Sequence, residues 1–192
     1  MVTKREIVFQ QKAVNVNEYG DGVAWIRGPI LGRGSFGSVY KATLKNQYHF
    51  LPSEFAVKSA DVSVSSSLRH EKESMSHLKG CPYVIQCFGE ETTIGDDGVT
   101  GYNLLLEYGS GGTLADRIKK LQRLPEGEVR AHTRSILRGL SHIHGLGYVH
   151  CDLKPGIRCW CRVVEEEGLQ QKLVILVWQR RKQKSLTIRR ES

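Results

Sequence analysis

Gly32, Gly34 and Gly37 stand in a Gly-x-Gly-x-x-Gly spacing, and chemistry-bearing side chains follow them along the chain. Lys58 closes the apolar run Phe55-Ala56-Val57, Glu71 and Glu73 come next, and Asp152 and Lys154 lie within Tyr148-Val149-His150-Cys151-Asp152-Leu153-Lys154-Pro155. Glycines at this spacing remove steric bulk, so the main chain can approach phosphate groups. The spacing alone is also used by dinucleotide-binding folds. There it joins a strand to a helix, and an acidic residue follows about twenty positions later. Here the glycines join two strand-like segments, with Val39 following and the Ala56-Val57-Lys58 strand after that. A glycine-rich hairpin without a ligand is the plain alternative, as solvated surface charges are for Lys58 and Glu71.

Positioning these side chains takes a small sheet and a helix. A leader over residues 1–22 ends in the turn-forming Gly20-Asp21-Gly22. Strands are expected at Val23 to Leu31, Ser38 to Thr43, Phe55 to Lys58, Tyr83 to Cys87 and Tyr102 to Tyr108. Between the third and fourth, Ser65 to Lys79 reads as a helix with Leu68, Met75 and Leu78 on one stripe and Glu71 beside it; Gly80 and Pro82 end it. Gly109 to Gly112 is a joint. Helices at Thr113 to Leu121 and Glu126 to His144 follow, the second with Val129, Ile136, Leu137, Leu140 and Ile143 on one face. Pro125 at its start and Gly145 past its end suit helix termini. The order is that of an α+β small lobe leading into a helical lobe.

Taken together, these segments resemble the eukaryotic protein serine/threonine kinases over about Val23 to Pro155. Leu-Gly-Arg-Gly-Ser-Phe-Gly-Ser-Val and His-Cys-Asp-Leu-Lys-Pro look most like plant mitogen-activated protein kinase kinase kinases. The resemblance implies a kinase-like fold: a five-stranded small lobe with one helix over 23–108, then the start of an incomplete helical large lobe over 109–155. It implies ATP as cofactor, held by Gly32, Gly34 and Gly37 at the phosphates and by Leu31, Val39 and Ala56 around adenine. Lys58 would contact the α- and β-phosphates and pair with Glu71, Glu73 being the second choice. Leu106 would gate the back pocket, and the backbone from Glu107 to Gly109 would hydrogen-bond adenine. Asp152 would accept the substrate hydroxyl proton, and Lys154 would steady the transferred phosphoryl group. Cys151 stands where such kinases carry an arginine that pairs with a phosphorylated activation loop, which puts control by that route in question.

The pattern breaks after Pro155. The fifth residue after Asp152, where the resemblance expects a magnesium-binding asparagine, is Ile157, and no Asp-Phe-Gly or Ala-Pro-Glu follows. Magnesium is expected from the family while its ligands are missing. A kinase domain of roughly 250 residues would not fit in the 170 residues from Val23 onward. The tail over 156–192 mixes Cys159-Trp160-Cys161, three glutamates and Arg180-Arg181-Lys182-Gln183-Lys184. Taking the third base of each codon with the first two of the next, starting at Gln171-Lys172, the stretch to Arg180 permits Lys-Ile-Ser-Asp-Phe-Gly-Leu-Ala-Lys. The tail is therefore read as a shifted frame of the kinase's own C-terminal exon, through a splice or gene-model error. Its rival is a genuine divergent tail, with the basic cluster as a nuclear-localisation or nucleic-acid patch.

Composition narrows the rest. No apolar run suits a bilayer span or a secretory signal, and five cysteines suggest reduced thiols in the cytoplasm or nucleus. The spacing of Cys151, Cys159 and Cys161 fits no zinc pattern. Of the net charge of +8, five units lie from Gly156 onward, so basicity says little about the folded part and no nucleic-acid partner is expected. Two functional readings remain. One is a kinase acting on a protein substrate in a MAP kinase cascade, with a downstream MAP kinase kinase as partner. The other is a truncated, non-catalytic ATP-binding or regulatory fragment.

Overall fold

Strict alternation along Phe55-Ala56-Val57-Lys58-Ser59-Ala60 gives the central strand two unlike faces. Phe55 and Val57 join one buried cluster with Trp25, Ala42 and Leu105. Ala56 and Ala60 join another with Leu68, Met75, Leu104 and Leu106. A computed structural model of the chain describes residues 17–34, 36–46, 51–150 and 153, and the backbone of 179–180.

The strands are β1 (Trp25–Gly34), β2 (Gly37–Leu44), β3 (Glu54–Asp61), β4 (Cys87–Ile94) and β5 (Thr100–Leu106), in one antiparallel sheet of order β1-β2-β3-β5-β4. A short 3₁₀ turn at Val62–Val64 leads into α1 (Ser66–His77), which crosses one face of the sheet. The helices α2 (Leu114–Leu121) and α3 (Glu126–Gly145) follow. Thr113 and Asp116 cap α2 reciprocally, and Arg117 reaches both carboxylate oxygens of Glu128 at 3.1 and 2.7 Å to tie α2 to α3. A two-residue strand β6 (Tyr148–Val149) pairs with β7 (Gln179–Arg180), Tyr148 opposite Arg180. Among the described residues no helix is long and apolar enough to cross a membrane.

Three expectations need correction. The fourth strand runs from Cys87 to Ile94, not Tyr83 to Cys87. Val84 and Ile85 are buried, Val84 in the cluster with Ile143 and Tyr148 and Ile85 in the α1 cluster; Val84 makes one isolated bridge, and the ladder with the neighbouring strand begins at Cys87. Residues 17–22, expected as leader, pack onto the sheet. Tyr19 is buried, its carbonyl accepts from the Thr93 hydroxyl, and the Asn17 N–H donates to Asp96 at 3.0 Å. The apolar face expected on α3 splits in two. Ile143 and Leu140 pack against the α1–β4 connection, while Val129 and Leu137 lie exposed beside Arg134 and Ser141.

Candidate functional site

Alternation in β3 puts Lys58 on the α1 face between Ala56 and Ala60, where it is 3% exposed. On α1, Leu68, Glu71 and Met75 share the buried stripe, so packing the two apolar side chains drives the carboxylate inward with them. Lys58 Nζ donates to Glu71 Oε2. Among the described residues Glu71 Oε1 has no hydrogen-bond partner, although it is buried. Such an atom is an acceptor held ready for a donor. Glu73 lies outside this arrangement; its side chain is 71% exposed, 3.9 Å from His70.

Burial pushes the Glu71 carboxyl up from 4.5 to about 7, against the opposing pull of Lys58. A raised folded-state pKa means that the folded chain binds the extra proton between those two values. Stability contributed by the protonated form is therefore full below 4.5 and lost as pH rises to about 7. Glu71→Gln is expected to flatten that slope; urea denaturation across the window checks it.

Above the pair, Leu31, Val39 and Tyr108 pack around the cluster that holds Ala56 and Leu106. Pair registers bring these positions together: Gly32 faces Val39, Val39 faces Lys58, and Ala56 faces Leu106. The result is an apolar shelf whose inner end is the Lys58–Glu71 pair. At its outer end the Glu107 N–H donates to the Gln86 carbonyl at 2.9 Å, and the Glu107 carboxylate accepts from Gln86 N at 3.1 Å. That N–H is engaged within the protein. Gly109 is half-buried, and its carbonyl accepts from Gly112 N at 3.4 Å.

The glycine segment forms the hairpin end of β1 and β2, with Gly34 opposite Gly37. The two glycines differ in what the fold asks of them. Gly37 has φ +122°, and a Cβ there would meet the Ser59 carbonyl oxygen at 2.3 Å. At Gly34 the nearest atom to an added Cβ is Gly37 O at 3.9 Å, ordinary contact. Gly37→Ala is thus expected to lower stability by about 1–3 kcal/mol, whereas Gly34→Ala leaves the melting temperature unchanged. Any loss of phosphate binding in Gly34→Ala then reports on the ligand alone.

Asp152 and Lys154, with Cys151 and Ile157, lie outside the described residues. What the structure describes next to them is His150, 2% exposed, and Tyr148, 6% exposed, whose hydroxyl lies 2.7 Å from His77 Nδ1 at the end of α1. Among the described residues no group of three or more His, Cys, Asp or Glu could hold a metal ion.

Two constellations were missed from sequence. Arg27 crosses the face of the sheet opposite α1, with its guanidinium 4.7 Å from the Tyr40 ring, 5.1 Å from Trp25 and 5.8 Å from Tyr19. It donates to Gly20 O at 2.8 Å, Ser59 Oγ at 2.7 Å and Asn103 Oδ1 at 3.0 Å. The signal available was an arginine two residues from a strand tryptophan, on the face that alternation assigns to the core. The second comprises Arg69, Lys72, Glu90 and Tyr102 around α1. There the signal was a pair of cations three residues apart on the helix that carries Glu71.

The family model described as protein kinase domain matches residues 25–156. Mitogen-activated protein kinase kinase kinase 20 of Arabidopsis thaliana is 46% identical over 132 residues, 68% of this chain and 38% of that protein. Mitogen-activated protein kinase kinase kinase 17 of the same plant is 47% identical over 131 residues, 68% of this chain and 34% of its own length. For mitogen-activated protein kinase kinase kinase 18 the identity is 41% over 136 residues, 68% of this chain and 39% of that protein. The chain spans less than two fifths of the length of these relatives.

Proposed function

The chain belongs to the protein kinase domain family, and on that premise we propose that it binds ATP along the shelf between the glycine hairpin and the end of β5. There it serves transfer of the γ-phosphoryl group to serine or threonine hydroxyls of a protein. The observation that carries this reading is the buried Lys58–Glu71 pair at the inner end of an apolar shelf. A buried ion pair is weak evidence for stability and is better explained by a task for the cation.

In this reading Lys58, oriented by Glu71, contacts the α- and β-phosphates, and the Gly34 backbone closes over them. Leu31, Val39, Ala56 and Leu106 bury the adenine, with the backbone of residues 107–109 fixing its edge. ATP, when bound, supplies the phosphoryl group; Asp152 takes the proton from the attacking hydroxyl, and Lys154 neutralises charge on the phosphoryl oxygens. The resemblance also implies magnesium, and no ligand for it is assigned among the described residues. The names of the relatives support a downstream MAP kinase kinase as protein substrate. Free thiols at Cys81 and Cys87 support a cytoplasmic or nuclear setting.

A second reading, an ATP-binding regulatory fragment without turnover, is favoured by Ile157 at the position where the resemblance puts a metal ligand. It goes with residues 23–108 and 109–155 as the two lobe segments and 156–192 as a tail in a shifted frame. Coding nucleotides at 174–177 that cannot spell Asp-Phe-Gly in that frame would contradict the shift. Phosphorylation of a protein substrate, assayed with Lys58→Met beside the native chain, separates the two readings. Turnover lost in the variant supports catalysis, and nucleotide binding without turnover supports the fragment.

A further inference from the structure

The α1 helix buries only two apolar side chains, Leu68 and Met75, beside the carboxylate of Glu71. That is a thin seam for an element whose rotation decides whether Glu71 meets Lys58. A second set of contacts lies on the flank of the helix. The Arg69 guanidinium stacks 4.5 Å from the Tyr102 ring on β5. Lys72 Nζ donates to Glu90 Oε1 on β4 at 3.0 Å, and the Tyr102 hydroxyl donates to Glu90 Oε2. Both oxygens of one carboxylate are thus used, one by the helix and one by the sheet. Tyr102, 3% exposed, is itself part of the cluster that holds Leu68 and Met75.

Resting on the nucleotide site proposed above, we infer that Glu90 and Tyr102 are positioning residues that hold α1 rotated so that Glu71 faces Lys58. Arg69 and Lys72 are three residues apart and share one flank of the helix, about 160° and about 100° round from Glu71. A helix pinned along one flank and one buried stripe has no free rotation. Released from the flank, it pivots on Leu68 and Met75, and the carboxylate leaves the lysine. The lock is electrostatic at its exposed end, where the Lys72 and Glu90 side chains are 41% and 40% exposed, and so it is open to salt. At the buried end it is a hydroxyl and a ring. The hydrogen bonds from Tyr102 and Lys72 hold the Glu90 carboxyl below the usual range, so its charge persists at neutral pH.

Accessibility of Lys58 itself tests this in the full chain, without relying on turnover. The lysine is acylated with an amine-reactive reagent, and its rate is followed by peptide mass spectrometry with and without ATP. Glu90→Ala is expected to speed Lys58 acylation about tenfold, while hydrogen exchange in β2 and β3 stays at the native rate. Tyr102→Phe keeps the ring beneath Arg69 and removes only the hydroxyl, so a smaller acceleration is expected. Glu90→Gln keeps an acceptor oxygen and should restore part of the protection that alanine loses. An unchanged rate in folded Glu90→Ala overturns the proposal. If that variant does not fold, native rates in both Tyr102→Phe and Lys72→Met overturn it equally. Failure of ATP to slow Lys58 acylation in the native chain counts against the nucleotide reading instead and leaves the helix lock supported by the variants.

Discussion

Lys58→Met is expected to destabilise the chain by about 3 kcal/mol near pH 8 and by clearly less near pH 6, measured by urea denaturation at both. The variant keeps the aliphatic volume between Ala56 and Ala60 and removes the cation. Glu71, 3% exposed, then has no charge to offset its desolvation, and Oε2 joins Oε1 as a buried oxygen without a donor. Loss of the opposing pull of Lys58 lets the carboxyl pKa rise further. The variant must then hold a proton that the native chain releases above about pH 7, at a cost that grows with pH. Below about pH 7 both chains hold that proton, and this part of the cost disappears. Equal destabilisation at both pH values would mean that packing, not charge, is what the lysine supplies. Glu71→Gln in the same background should remove the pH dependence.

The second large effect is expected on the opposite face of the sheet, where Arg27→Ala should cost about 3 kcal/mol and expose residues 17–22 to proteases. Its guanidinium is enclosed by Tyr19, Trp25 and Tyr40 and bonded to Gly20, Ser59 and Asn103. Burial lowers its pKa from the ordinary arginine value, and the aromatic faces repay part of that desolvation. Truncation would leave Ser59 to bond Asn103 alone and free the segment carrying Tyr19. Arg27→Lys should recover little, because one ammonium cannot span the three acceptors in a plane. Limited proteolysis checks the result: cleavage near residues 17–22 at the native rate in Arg27→Ala would show that the segment is held by other means.

What the sequence disclosed and what it hid follow from the range of the forces involved. The Phe55-to-Ala60 alternation and the Leu68, Glu71, Met75 stripe are local periodicities, so both faces of β3 and the inward side of α1 were readable without a fold. Arg27 finds its acceptors 32 and 76 residues away, at Ser59 and Asn103. No window of sequence contains that network, and an arginine in a strand reads as surface. The fourth strand was misplaced because Val84 and Ile85 look like strand residues and are used as core plugs. The true strand, Cys-Phe-Gly-Glu-Glu-Thr-Thr-Ile, presents an alternation of exposed and half-buried positions with few apolar residues to announce it. On α3, Val129, Leu140 and Ile143 share one stripe with Leu137 at its edge, yet Leu140 and Ile143 are covered while Val129 and Leu137 stay exposed. Periodicity finds such a face but does not say how much of its length a partner covers, and here the packed residues lie toward the C-terminal end of the helix.

All of this rests on Lys58 and Glu71 forming a site for the phosphates of a nucleotide, and equilibrium titration of ATP into the full chain tests that most directly. Calorimetry should show saturable one-to-one binding that weakens by about tenfold or more in Lys58→Met, since a charged hydrogen bond to phosphate is lost. Gly34→Ala should weaken it too, with its melting temperature unchanged. Absence of binding to the folded native chain, or equal affinity in native and Lys58→Met chains, would contradict the account.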